Sequence, residues 1–146
     1  MNDHDLLFKG YRPRPKRLIK AEIISFIGRI LSPRTRKTKN KYLQIGCGNS
    51  LPNNFDNIDF FPTKARDIKS VKHICHDLRY PLPYEDNTFE GGFTEHTLEH
   101  LYYDESINLL REIKRVLKPN SILRCTIPDL RKYVNFYNGN ISNSFF

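Results

Sequence analysis

Two glycines flank a cysteine at Gly46-Cys47-Gly48, directly behind the short apolar run Tyr42-Leu43-Gln44-Ile45. Glycine lets a chain turn sharply and meet a ligand with no Cβ in the way. Acids stand at comparable places behind other apolar runs. Asp59 falls at the end of Asn57–Phe60, Asp77 just past Val71–Cys75, Glu95 and His96 behind Phe89–Thr94, and Asp129 behind Ile122–Ile127. An acceptor in Asp59's position suits the two hydroxyls of a ribose, and one in Asp77's position suits the exocyclic amine of a base. Glu95 or His96 is suited to take a proton from a hydroxyl or amine. One carboxylate per strand end, around a glycine turn, describes a nucleoside pocket. Plainer readings stand beside this one: Asp59 as a turn residue, Asp77 as a turn or helix cap, Asp129 as an N-cap after Pro128.

Such a pocket requires the apolar runs to be parallel strands whose carboxyl ends share one rim. The intervening segments agree. Asp104 suits a helix N-cap, and Ile107, Leu110, Ile113, Val116 and Leu117 keep helical spacing until Lys118-Pro119. Strands alternating with helices define the α/β class with a parallel sheet. Ahead of it, Leu18, Ile19, Ile23, Ile27, Ile30 and Leu31 recur at helical spacing between Lys16 and Ser32-Pro33. Its basic flanks permit an interfacial membrane helix, but the expectation is that this apolar stripe covers one edge of the core. The basic run 34–41 then reads as a linker, which divides the chain into an N-terminal extension, 1–41, and an α/β domain, 42–146.

These residues carry a family resemblance. YLQIGCGNSLPNNFDNIDFF (Tyr42–Phe61) resembles the first motif and acidic second strand of class I S-adenosylmethionine-dependent methyltransferases. HDLRYPLPYEDNTFEGGFTEHTLEHL (His76–Leu101) looks like their third and fourth motifs in the methyltransferase type 11 style, and LLREIKRVLKPNSILRCTIPDL (Leu109–Leu130) is similar to their helix and fifth strand. The resemblance implies a Rossmann-like parallel sheet in the strand order 3-2-1-4-5 with helices on both faces, and S-adenosylmethionine as cofactor. Gly46, Cys47 and Gly48 would line its methionine and ribose part, Asp59 would accept from the ribose hydroxyls, and Asp77 with Leu78 would contact adenine. Glu95 and His96 would face the methyl group and its acceptor.

Three departures from the family pattern follow. The link between the first two strands, Gly46–Asp56, leaves little room for a helix, so loop amides would have to replace a helix N-terminus. Asn120-Ser121 stands where the family has two glycines, and asparagine tolerates the same left-handed turn. The chain stops soon after strand five, before the last two strands of the usual fold. The expectation is either a minimal or C-terminally truncated form, or a free sheet edge covered by another chain, as in a homodimer.

Charge and cysteines bound the remaining classes. Residues 1–41 hold twelve Lys/Arg against three Asp/Glu, a net +9, whereas 42–146 hold twelve against thirteen, a net −1. The body therefore does not resemble a nucleic-acid module, and a small-molecule or sugar acceptor is expected. Contacts with anionic membrane or nucleic acid are confined to the basic extension, whose simplest role is a solvated arm. Three widely spaced cysteines rule out a disulfide scaffold. Cys75 and Cys125 are expected inside buried strands and Cys47 at a more exposed turn. With no secretory pattern at Met1-Asn2-Asp3-His4-Asp5, a reducing, cytoplasmic location is expected. His96-Thr97-Leu98-Glu99-His100 spells an inverted zinc-protease motif, but follows a glycine-containing strand and lacks room for a distant third ligand; no metal is expected. The rival to an enzyme is a methyltransferase-like module that only binds.

Overall fold

The computed structural model describes residues 19–20, 22–27, 36–60 and 73–139. Strands β1 (Tyr42–Ile45), β2 (Phe55–Asp59), β3 (His73–Cys75), β4 (Phe89–Glu95) and β5 (Leu117–Thr126) form one sheet in the order β3-β2-β1-β4-β5. Every neighbouring pair is parallel, so all carboxyl ends face one rim. Helix α1 (Tyr103–Val116) connects β4 to β5, and α2 (Leu130–Tyr137) follows β5. The expected class and strand order are those observed. The start of the third strand at Val71, the outer parts of the Lys16–Leu31 helix and the terminal segments lie outside the described residues.

The core is built from the strands' alternate faces and one stripe of α1. Leu43, Ile45, Ile58, Ile74 and Phe89 are buried from the sheet, and Leu109, Ile113 and Val116 from α1. Those three helix positions recur at i, i+4 and i+7, the spacing of a single face. The buried stripe is thus centred on Leu109, with Ile107 and Leu110 only half-buried. The helix starts two residues earlier than expected, with Tyr102 rather than Asp104 as N-cap; its N–H donates to Glu105 Oε2 at 2.9 Å. Asp104 sits in the first turn, where its charge complements the helix dipole.

A buried carboxylate ties the stretch before β1 to the sheet. Asp56 on β2 is fully buried and accepts from Thr38 Oγ1 at 2.7 Å, Asn40 Nδ2 at 2.7 Å and Tyr84 Oη at 2.6 Å. These hydrogen bonds satisfy polar atoms that burial would otherwise penalise. Burial and this bond to Asp56 push the Tyr84 phenol well above its ordinary value.

Three expectations are corrected. β5 starts at Leu117, five residues before Ile122: its register advances from Leu117 to Ile122 while β4 advances only from Phe89 to Gly91. The excess forms a bulge in which Asn120 is left-handed (φ 64°), as its side chain allows. Cys75 and Cys125 are exposed, whereas Cys47 is buried. Their strands lie toward the two edges of the sheet, and the glycine turn folds inward over β2. Residues 22–27 are helical, but Ile19, Ile23, Phe26 and Ile27 are exposed, so the stripe does not cover the core. Of the two readings of Asp129, the N-cap is the one observed: it caps α2, accepting from the Arg131 N–H at 2.9 Å.

Candidate functional site

The loop 46–54 joins β1 to its parallel neighbour β2 without a helix. The turn is made by Gly46 (φ 68°) and Gly48 (φ 52°), both left-handed. The Gly46 and Cys47 N–H groups donate to the Ile58 carbonyl at 2.8 and 3.2 Å, folding the turn back over β2. A Cβ on Gly46 would lie 1.9 Å from Thr97 Oγ1. Thr97 itself is buried and donates toward the carbonyls of Ile45 (3.3 Å) and Glu95 (3.0 Å). One hydroxyl therefore joins the ends of β1 and β4, and only glycine fits beside it. Gly48 is different: nothing lies within 4 Å of its Cβ position, so its backbone faces open space.

That space is a cavity of about 550 Å³ at the carboxyl ends of β1 to β4, within the size range of small-molecule sites. Gly46 and Gly48 border it after β1, and Asp59 and Phe60 at the end of β2. Asp77, Leu78 and Arg79 border it after β3, and His96 and Thr97 after β4. The start of α1 adds Tyr102 and Glu105, the short 3-10 turn before it His100, and the N-terminal segment Glu22. The sequence places Gly46, Gly48, Asp59, Asp77, Leu78 and His96 at one pocket, and one cavity brings these six together.

Cys47 and Glu95 do not border it. The Cys47 thiol is buried, and burial, followed by the negative charge of Asp59, pushes it up to about 12. It stays protonated at neutral pH and is no nucleophile. Glu95 is exposed at the end of β4, in register with Thr126 of β5.

The two aspartates are held differently. Asp59 Oδ2 accepts from the Gly48 N–H at 2.8 Å, which fixes the glycine turn to the β2 end. Asp77 is buried, and its acceptor sites are filled. Oδ1 takes the Arg79 backbone N–H and Nε, each at 3.0 Å; Oδ2 takes Arg79 Nη2 at 2.7 Å and the Ser25 hydroxyl. Burial alone would raise the Asp77 carboxyl, but the hydrogen bonds from Arg79 and Ser25 outweigh it and hold it below its ordinary value. Arg79 extends the network by donating to Glu22 Oε1 at 2.8 Å.

At the β4 end, His96 has a left-handed backbone (φ 49°), a conformation non-glycine residues adopt at a cost and one found disproportionately at functional sites. Its N–H donates to the Thr126 carbonyl at 3.0 Å and its Nδ1 lies 3.1 Å from Glu99 Oε1. Because His96 precedes the 3-10 turn Leu98–His100, the two imidazoles do not stand one α-helical turn apart, as a zincin motif requires. Among the described residues, no group of three or more His, Cys, Asp or Glu could hold a metal ion.

Sequence reasoning misses Thr97, Arg79, Ser25 and Glu22. Thr97 and Ser25 act across 52 residues, which no local pattern reveals. Arg79, two residues past Asp77 in a loop, offers the only local signal.

A parallel sheet with a glycine turn and acids around a shared rim defines a nucleoside-binding α/β domain. The particular kind follows from comparison with known proteins. The sequence profile of the methyltransferase domain family matches residues 43–125, more than half of the chain, and the chain belongs to that family. Its cofactor is S-adenosylmethionine. A search of the curated proteins finds no match. Among solved structures, the PH0226 protein from Pyrococcus horikoshii OT3 is 22% identical (TM-score 0.55), with 95% of this chain and 67% of that one covered. A SAM-dependent methyltransferase from Thermotoga maritima is 19% identical (TM-score 0.51), with 90% and 65% covered. These likenesses bear on the fold. The chain spans from 43% to 68% of the length of five solved structures it matches.

Proposed function

We propose that this chain transfers the methyl group of S-adenosylmethionine to a hydroxyl or amine of a small molecule such as a sugar. The observation that carries the reading is the convergence of Gly46, Gly48, Asp59, Asp77 and Leu78 on one cavity that His96 also borders. The residues suit an adenosyl group: open space over Gly48 admits close backbone approach, Asp59 at the β2 end offers an acceptor to hydroxyls, and Asp77 would offer one to an amine that displaces Ser25. Asp59 would hold the ribose, Leu78 would pack on the base, and the glycine turn would take the methionine part. When bound, the cofactor supplies a methyl already activated by a sulfonium leaving group.

The chain's own work is then alignment and exclusion of water. Tyr102, His100 and Glu105 border the same cavity as His96 and would orient the acceptor there. Of the two candidate bases, His96 borders the cavity and Glu95 does not. Glu99 at Nδ1 favours the tautomer that leaves Nε2 as acceptor, and Nε2 would receive the proton.

The test is methyl transfer from labelled S-adenosylmethionine to a panel of hydroxyl- and amine-bearing small molecules. Turnover is expected, lowered at least about tenfold by His96→Ala with cofactor affinity kept. Cofactor binding without turnover on any acceptor would instead make the chain a binding module. Equal turnover in the variant would remove His96 as the base.

A further inference from the structure

The helical segment before β1 is amphipathic in the reverse sense. A helix on a soluble domain turns its apolar stripe inward and its polar face to water. Here Ser25 is the buried residue among 19–20 and 22–27, and it bonds Asp77. Glu22, on the same side, binds Arg79 at 2.8 Å. The polar face thus attaches the helix to the domain. Ile19, Ile23, Phe26 and Ile27 fall in one arc about 100° wide and face outward, with Ile23 53% and Phe26 57% exposed.

We infer that this face docks on an anionic lipid surface. Charge decides between the available occupants. The first 41 residues carry twelve Lys/Arg against three Asp/Glu, with Arg17, Lys20 and Arg29 bracketing the apolar arc in sequence. Two copies meeting through this face would bring two +9 segments together, whereas an acidic bilayer attracts both features at once. An RNA would answer the charge but leave the isoleucines and Phe26 in water. Among the described residues no helix is long and apolar enough to cross a membrane, so the mode is interfacial. The inference does not depend on the methyl-transfer reading.

The chain contains no tryptophan, so Phe26→Trp installs a single reporter by a conservative exchange. Vesicles of phosphatidylcholine with about one third phosphatidylglycerol should shift its emission to the blue and expose it to brominated lipid tails, and phosphatidylcholine alone should not. In co-sedimentation, Ile23→Glu with Phe26→Glu should weaken binding to the anionic vesicles at least about tenfold while the circular dichroism melt is kept. Raising salt should weaken it further. Three results would each overturn the inference. One is binding with no blue shift or equal binding by the double variant, which would mean charge alone. Another is blue-shifted emission from the Phe26→Trp reporter in a sedimenting dimer without vesicles, which would mean a second copy. The last is binding to RNA but not to vesicles.

Discussion

Ser25 and Asp77 are joined by a hydrogen bond across 52 residues, and the cavity's base-contact candidate is thereby tied to the N-terminal helix. With Arg79 on the same carboxylate, all of its lone-pair directions are taken. An adenine amine that reads Asp77 must therefore displace a donor, and Ser25, neutral and single-bonded, is the weakest holder. Ser25→Ala should tighten S-adenosylmethionine binding at least about tenfold, the worth of one hydrogen bond to a charged carboxylate. Isothermal titration reads this directly. Unchanged or weaker binding would show that the helix does not compete for Asp77.

The two glycines of the turn separate steric from conformational cost. Gly46→Ala places a methyl 1.9 Å from Thr97 Oγ1 at φ 68°, whereas Gly48→Ala meets open space at φ 52°. The first should lower unfolding stability by about 2–4 kcal/mol, the second by about 1 kcal/mol. Urea denaturation midpoints check the contrast, and equal losses would mean that Thr97 yields without cost.

Acidification should destabilise the chain in two stages. His76 is held below its ordinary value of 6.5, chiefly by burial. The unfolded chain then binds the extra proton first, so stability is whole above pH 6.5 and falls as pH drops through the lowered folded value. Glu112, whose carboxyl is lowered chiefly by its hydrogen bond from Arg115, and Asp77 follow. Their contributions are present above the ordinary values of 4.5 and 3.8 and are lost as pH falls through the lowered ones. Urea unfolding across pH 8 to 3 should show both stages, and His76→Asn should remove most of the first. A flat profile between pH 8 and 5 in the parent chain would contradict the assignment.

Much of the fold is readable because the strands are short apolar runs ended by turn residues, and because their order comes with the family resemblance. Tyr42–Ile45 is delimited to the residue. The start of β5 is not, because Pro119 marks a helix stop and a bulge equally well, and the chain passes from Val116 into the strand with no turn between. Burial misleads twice. A cysteine inside a strand reads as buried, yet Cys125 lies on the edge strand β5, and Cys47 is covered by the fold of its own turn. The helix before β1 is legible as amphipathic, but which face meets the domain depends on Ser25 finding Asp77, a pairing without local trace. At the site, the residues set by strand ends are legible. Those set by tertiary approach, Thr97 above all, are not.

The central claim is that the glycine turn and Asp59 hold an adenosyl group together. The most direct test is a calorimetric titration of S-adenosylmethionine into the parent chain and into Asp59→Ala, with both shown to fold by circular dichroism. One-to-one binding by the parent, weakened at least about tenfold in the variant, is the expected result, since the change removes both the ribose acceptor and the partner of the Gly48 N–H. Equal affinity in the two chains, or no binding by either, would contradict it.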